Sequence, residues 1–249
     1  MLSRFEPAML DGPWARRMRG RRAWIDELPW DEALPRDPAT RWTWTQTAYS
    51  EYAAAASFSA ISSALAAAGA PIDLIGLTSD FVVDEIVHVE VSARIAAALG
   101  GGVQLEVDLE RLVRPPSAND PRLRAAELIV RTSCVGEALT VPLLDLSRGL
   151  SESTLIAAAL RRIMKDEVAH AQLGGWFLSW ADAWLDDQAR AHLGRVAGVA
   201  LRAFTPLLGE GERFDSVFAQ AAKARVAEPL MVYGIEIPVA DLRAVGAGE

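Results

Sequence analysis

Residues 84–88 read Asp-Glu-Ile-Val-His, and residues 166–170 read Asp-Glu-Val-Ala-His. Each is an Asp-Glu-x-x-His string inside a stretch of helical periodicity. A spacing of three sets Glu85 beside His88, and Glu167 beside His170, on one helix face. The chain has only three histidines, His88, His170 and His192. That two of them carry the same acids at the same offset by accident has odds of roughly one in ten thousand.

Working outward from these strings, the chain reads as helices separated by clear stops. Residues 40–69 are alanine-rich and end at Gly69-Ala70-Pro71; residues 71–99 end at Gly100-Gly101-Gly102. Residues 100–120 carry a short apolar alternation and then Pro115-Pro116-Ser117-Ala118-Asn119-Asp120-Pro121, a loop signal. A third helix spans 121–149, and Ser151 reads as the N-cap of a fourth that runs to about 185. Trp176, Trp180 and Trp184 fall four apart, a packing stripe for a further helix over 187–207, and a short helix is expected over 213–227. The tail 229–242 is apolar and reads as an extended cover for the bundle or a neighbouring subunit. The fold class is therefore all-α, a four-helix bundle with additions at both ends.

Residues 1–39 differ from the rest. Prolines at 7, 13, 29, 35 and 38 predict an irregular arm, packed on the bundle through Trp14, Trp24 and Trp30. The arginines at 16, 17, 19, 21 and 22 read as a solvated charge run, with docking of an acidic partner as the alternative. Residues 186–249 form C-terminal helices and a tail on the bundle of 40–185.

Composition bounds the function. The 249 residues are 51% hydrophobic with a net charge of −8, enough apolar material for one large core and a poor match to a nucleic-acid partner. One cysteine, Cys134, excludes an internal disulfide and a cysteine-built metal cluster, and fits a reducing, cytoplasmic setting. No targeting segment is visible, and the most apolar run, 53–70, is alanine- and serine-rich and reads as a buried helix rather than a membrane span.

Two antiparallel helices joined by a tight turn face each other at positions equidistant from that turn. The midpoint of Glu51 and Glu85 is 68, beside the first turn; the midpoint of Glu137 and Glu167 is 152, beside the second. Glu51, Glu85, His88, Glu137, Glu167 and His170 thus converge as metal ligands. Bare, four such carboxylates would each cost several kcal/mol to bury. Two divalent cations balance them, and carboxylate with imidazole suits iron, or manganese alone or mixed with iron. Asp84 and Asp166, one residue off the ligand face, are placed to accept the free ring N–H of His170 and His88 across the bundle. Glu90 and Asp80 read as exterior, and His192 as an ordinary surface or packing residue. Phe58, Phe81, Ser133, Cys134, Thr140, Met164 and Gly174 lie a turn or two from a ligand and could line a substrate pocket.

This pattern of Glu51, Asp84-Glu85-x-x-His88, Glu137 and Asp166-Glu167-x-x-His170 resembles the ferritin-like diiron-carboxylate superfamily. It is similar to the bacterial multicomponent monooxygenase hydroxylases and the arylamine N-oxygenases. The resemblance covers residues 51–170. It implies a ferritin-like bundle with a long crossover between helices 2 and 3, for which residues 100–120 are available, and two ferrous ions that reduce dioxygen as co-substrate. It further implies an external electron donor and a small organic substrate to be hydroxylated, N-oxygenated or desaturated; a homodimer is compatible, and neither nucleic acid nor membrane is expected. Ser92 stands where small ribonucleotide reductase subunits carry a radical tyrosine, and Ile163 where some N-oxygenases carry an extra histidine. Rubrerythrins need a cysteine-rich iron domain, and bacterioferritins share the six ligands in a shorter chain. The alternatives are a ferroxidase or iron store, with iron itself as substrate, and a structural bundle that holds metal without turnover.

Overall fold

The computed structural model describes residues 2–5, 12–208 and 211–247 and is mostly helical. Pro7 of the N-terminal arm lies outside the described residues. In chain order the elements are β1 (Ser3–Phe5), α1 (Pro13–Arg17), α2 (Arg19–Asp26), α3 (Pro38–Ala67), α4 (Ile72–Ala98) and β2 (Leu105–Val107). Then come α5 (Pro121–Ile129), a π-helical segment (Val130–Glu137) and α6 (Ala138–Leu150), followed by α7 (Thr154–Ala181) and α8 (Asp187–Arg202). The chain closes with α9 (Glu212–Ala221), a second π-helical segment (Ala222–Ala227), α10 (Glu228–Val232) and α11 (Val239–Ala244). Among the described residues, no helix is long and apolar enough to cross a membrane.

Local chemistry sets the helix starts. Asp37, Asp120, Ser153 and Asp186 each accept a hydrogen bond from a backbone N–H three residues on, and Pro38 and Pro121 stand at the first helical position. Gly69 takes the left-handed conformation (φ +67°) that ends α3, and Ala70 N–H donates back to the Leu65 carbonyl at 3.0 Å. The chain then reverses directly into α4. α3 packs along α4, α6 along α7, α4 meets α7, and α3 meets α5.

The arm is more regular than its prolines suggest. Pro13 sits in the first turn of α1, where its missing N–H costs nothing, and no proline follows until Pro29, so α2 can form. β1 pairs antiparallel with β2, Ser3 opposite Val107. The arginine run is not simply solvated: Arg21 pairs with Asp80 and Asp84 of α4, and Arg22 with Glu90. Glu90 is accordingly buried rather than exterior.

The apolar interior comes in two clusters. One holds Phe58, Ile61, Leu65, Ile129, Leu173 and Phe177; the other holds Ile25, Trp44, Val91, Ile95, Leu155 and Ile163. Between them along the helix axes lies a layer of acids and histidines. Apolar side chains in that layer would each contribute roughly 1.5–3 kcal/mol by burial. The sequence forgoes this for polar groups. Trp180 and Trp184 pack edge-on against Phe177, whereas Trp176, also assigned to the stripe, is 43% exposed. A repeat of four drifts around a helix of 3.6 residues per turn, which carries Trp176 outward.

The tail is partly helical rather than simply extended. After α10, Ile235 and Ile237 are buried as the chain crosses α8, and Asp241 of α11 pairs with Arg202. The crossover between α4 and α5 is tied down by Glu127. Its carboxylate accepts from Ser117 N (2.8 Å), Ser117 Oγ (3.0 Å) and Ala118 N (2.9 Å), and half-buried His192 lies 2.8 Å from it. Burial alone would raise the Glu127 carboxyl, but these donors outweigh it and hold it below 4.5. A depressed folded-state value stabilises above the unfolded value and is lost as pH falls through the folded one. Glu127→Gln should therefore flatten the fall in urea midpoint below pH 4.5. An unchanged acid limb would remove Glu127 from this role.

Candidate metal centre

Four rods deliver the polar layer. Glu51 comes from α3, Glu85 and His88 from α4, Glu137 from the end of the π-helical segment, and Glu167 and His170 from α7. The wider π turn sets the position of Glu137, because an inserted residue rotates everything after it by about 100°. Among the described residues two potential ligand groups form: Glu51, Glu85, His88 and Glu167, and Glu85, Glu137, Glu167 and His170. Within each, one ligand atom per residue lies within 4.8 Å of all the others.

Glu85 and Glu167 belong to both groups, and each spans the two imidazoles. Glu85 sets one oxygen 2.9 Å from His170 Nδ1 and the other 3.7 Å from His88 Nδ1. Glu167 does the same at 3.1 Å on each side. Glu51 lies 3.8 Å from His88 Nδ1. Both rings present Nδ1 to the glutamates and Nε2 outward. There Asp166 Oδ2 lies 3.4 Å from His88, and Asp84 Oδ2 lies 3.6 Å from His170, crossing the bundle in each case. Each aspartate also meets an arginine: Arg21 at 2.5 Å from Asp84, and Arg162 at 2.5 Å from Asp166. The sequence singles out Arg21 only as one of the arginine run and does not point to Arg162, although Arg162 stands one helical turn before Asp166, a spacing that brings side chains together.

The layer lacks positive charge. Burial pushes the Glu51 carboxyl up to about 8, and burial with the charges of Glu167 and Glu85 pushes Glu137 well above the usual range. Burial would lower the imidazoles, but the surrounding carboxylates outweigh it, raising His88 well above its ordinary value and His170 to about 12. Burial would raise Glu167, but His170 and His88 hold it below the ordinary carboxylate range. In the absence of a cation the carboxylates thus favour the protonated imidazoles. Even so, close as these ion pairs are, among the described residues neither oxygen of Glu85, nor Nδ1 of His88, nor Nε2 of His170 makes a hydrogen bond of good geometry. Buried acceptors left orphaned in this way fit a divalent ion, and the oxygen-and-imidazole donor set suits iron or manganese.

The other residues singled out from sequence surround this layer. Phe58 and Phe81 are buried and pack on the His170 ring at 5.1 and 4.4 Å between centroids. Ser133 is buried, with no partner for its hydroxyl among the described residues. Thr140 donates to the Gly136 carbonyl, and Met164 is half-buried. Cys134 is buried against Gly174, where an added Cβ would lie 2.5 Å from its sulfur; burial raises the thiol to about 12. None of these seven lines the cavity of about 610 Å³ where the starts of α3 and α7 meet the ends of α4 and α6, whose wall includes Trp44, Thr47, Leu99, Leu144, Ser151 and Leu160. Trp44 and Leu160 each stand seven residues from a ligand glutamate, about 10 Å along the helix axis. No family model matches the chain, and no curated protein or solved structure is significantly similar to it.

Proposed function

We propose that the chain is a ferritin-like dimetal protein that uses two iron ions and dioxygen to oxidise a small organic metabolite, with electrons from an external donor. The reading rests on one observation: two four-donor groups share Glu85 and Glu167 in the interior. Four carboxylates match two divalent cations in charge, so both ions can be held without a bare buried charge. Bound ferrous ions would supply the electrons and open coordination positions for reduction of dioxygen. The chain's own residues do the rest. Asp166 hydrogen-bonds His88 Nε2 and Asp84 faces His170 Nε2 at 3.6 Å, so each aspartate is placed to steady its ring with Nδ1 toward the ion. Phe58 and Phe81 keep water from one side of His170. The cavity beside Trp44 offers room for a substrate that iron storage does not need.

Anaerobic titration of the purified chain with Fe(II) tests this. Uptake should saturate at two ions per chain, and should weaken as pH falls because the ions displace protons from His88 and His170. On exposure to oxygen the loaded chain should consume it once, and continued consumption should require added reductant. Failure to bind Fe(II) overturns the metal centre, whereas continued uptake to many ions per chain in a shell-like assembly makes iron the substrate instead.

A further inference from the structure

The two halves of the ligand layer are built alike, but not completely. On α7, Arg162 stands four residues before Asp166 and meets it at 2.5 Å. On α4, the residue four before Asp84 is Asp80, an acid where the other half has a base. Two aspartates one turn apart, beside a layer already rich in carboxylates, repel each other. Left so, Asp84 gains by turning toward water, and His170 would lose the group facing its Nε2.

The missing cation comes from outside the four rods. Arg21 of α2 bridges both acids, 2.7 Å from Asp80 and 2.5 Å from Asp84. The rest of α2 is held in place for this. Arg22 Nε donates to Glu90 at 2.6 Å, and Arg94 of α4 reaches Asp26 at 2.6 Å, which latches the arm helix to α4 at two further points. The same helix also touches the other half: the Trp24 ring lies 5.1 Å from the Arg162 guanidinium, a cation–π contact that restricts the arginine.

We infer that the N-terminal arm completes the metal centre, with Arg21 supplying to Asp84 the cation that α4 lacks and Trp24 seating the one that α7 carries. Arg21 and Arg162 are positioning residues. Each fixes an aspartate, the aspartate fixes an imidazole ring, and the ring offers Nδ1 to the ion. The inference rests on the proposed dimetal reading, and it makes the half containing His170 depend on a segment more than sixty residues away from Asp84 in sequence.

Co(II) titration of the full-length, metal-free chain separates the two ideas. Uptake is followed by the visible absorption of Co(II), and the ring N–H protons of the two histidines by their hyperfine-shifted proton resonances. In Arg21→Gln, one Co(II) should bind roughly tenfold more weakly. The His170 ring N–H should exchange rapidly with solvent, while that of His88 stays protected. Arg162→Gln should show the reverse. Asp80→Arg placed in the Arg21→Gln background should restore both the affinity and the protected His170 proton, because α4 then carries its own cation as α7 does. A wild-type chain that takes up no Co(II) removes the metal reading and this inference together. A wild-type chain that binds two ions, with Arg21→Gln unchanged in both readouts, removes the inference alone. If Arg21→Gln does not fold, the double variant decides: a folded double variant with wild-type affinity supports the arm's role, and a folded one still weakened at the His170 half overturns it.

Discussion

Glu85→Ala should take metal uptake from two ions per chain to none, whereas Glu51→Ala or Glu137→Ala should each spare one. The difference follows from connectivity: Glu85 belongs to both ligand groups, Glu51 and Glu137 to one apiece. Glu85, like Glu167, places one oxygen toward each imidazole, so its loss takes a donor from both groups at once. Stability should behave in the opposite sense. In the metal-free chain Glu85 is completely buried among three other carboxylates, and the two histidines it faces keep Glu167 as a partner at 3.1 Å, so its removal relieves repulsion and the metal-free variant should unfold no more easily than wild type. What should vanish is the stabilisation by metal, about 2.7 kcal/mol for an ion at a hundred times its dissociation constant. Fe(II) or Co(II) titration with paired urea melts checks both. Two ions retained by Glu85→Ala would show that this carboxylate does not bridge.

The second large effect lies far from the ligands. Gly194→Ala on α8 should destabilise the fold by about 2–4 kcal/mol. A Cβ there would overlap the backbone carbonyl of Glu236, in the tail segment that crosses α8 between buried Ile235 and Ile237. A backbone pinned on both sides cannot swing away, so the methyl must displace the tail. Gly198→Ala, one turn on, would meet the Asp241 carboxylate instead, and a side chain can rotate aside at the expense of its pair with Arg202. Its effect should be about half as large. Urea unfolding orders the two, and equal midpoints for Gly194→Ala and wild type would mean that the tail does not sit against α8.

The clustering of the six donors was legible because it rests on two strings, His88 and His170 in matching contexts, and on turn positions that a helix rise converts into depth. What escaped was whatever periodicity does not encode. Glu90 reads as exterior from the pattern of α4, yet α2 covers it, and nothing local in the sequence of α4 announces a helix from residues 19–26. Arg21 looked like one member of a solvated run because its partners, Asp80 and Asp84, are set by tertiary packing. The π-helical segment read as ordinary helix, since an inserted residue changes the face presented by Glu137 without changing composition. The cavity beside Trp44 joins the arm to four helix ends, a junction that no single stretch of sequence describes.

The sealed contact between Cys134 and Gly174 has a practical consequence. The chain's only thiol is buried against Gly174, which stands one turn after His170, and burial favours its unreactive protonated form. A bulky alkylating reagent can reach it only when α7 and the π-helical segment part. The rate of labelling therefore clocks how often that wall breathes open, read from a thiol the chain already carries.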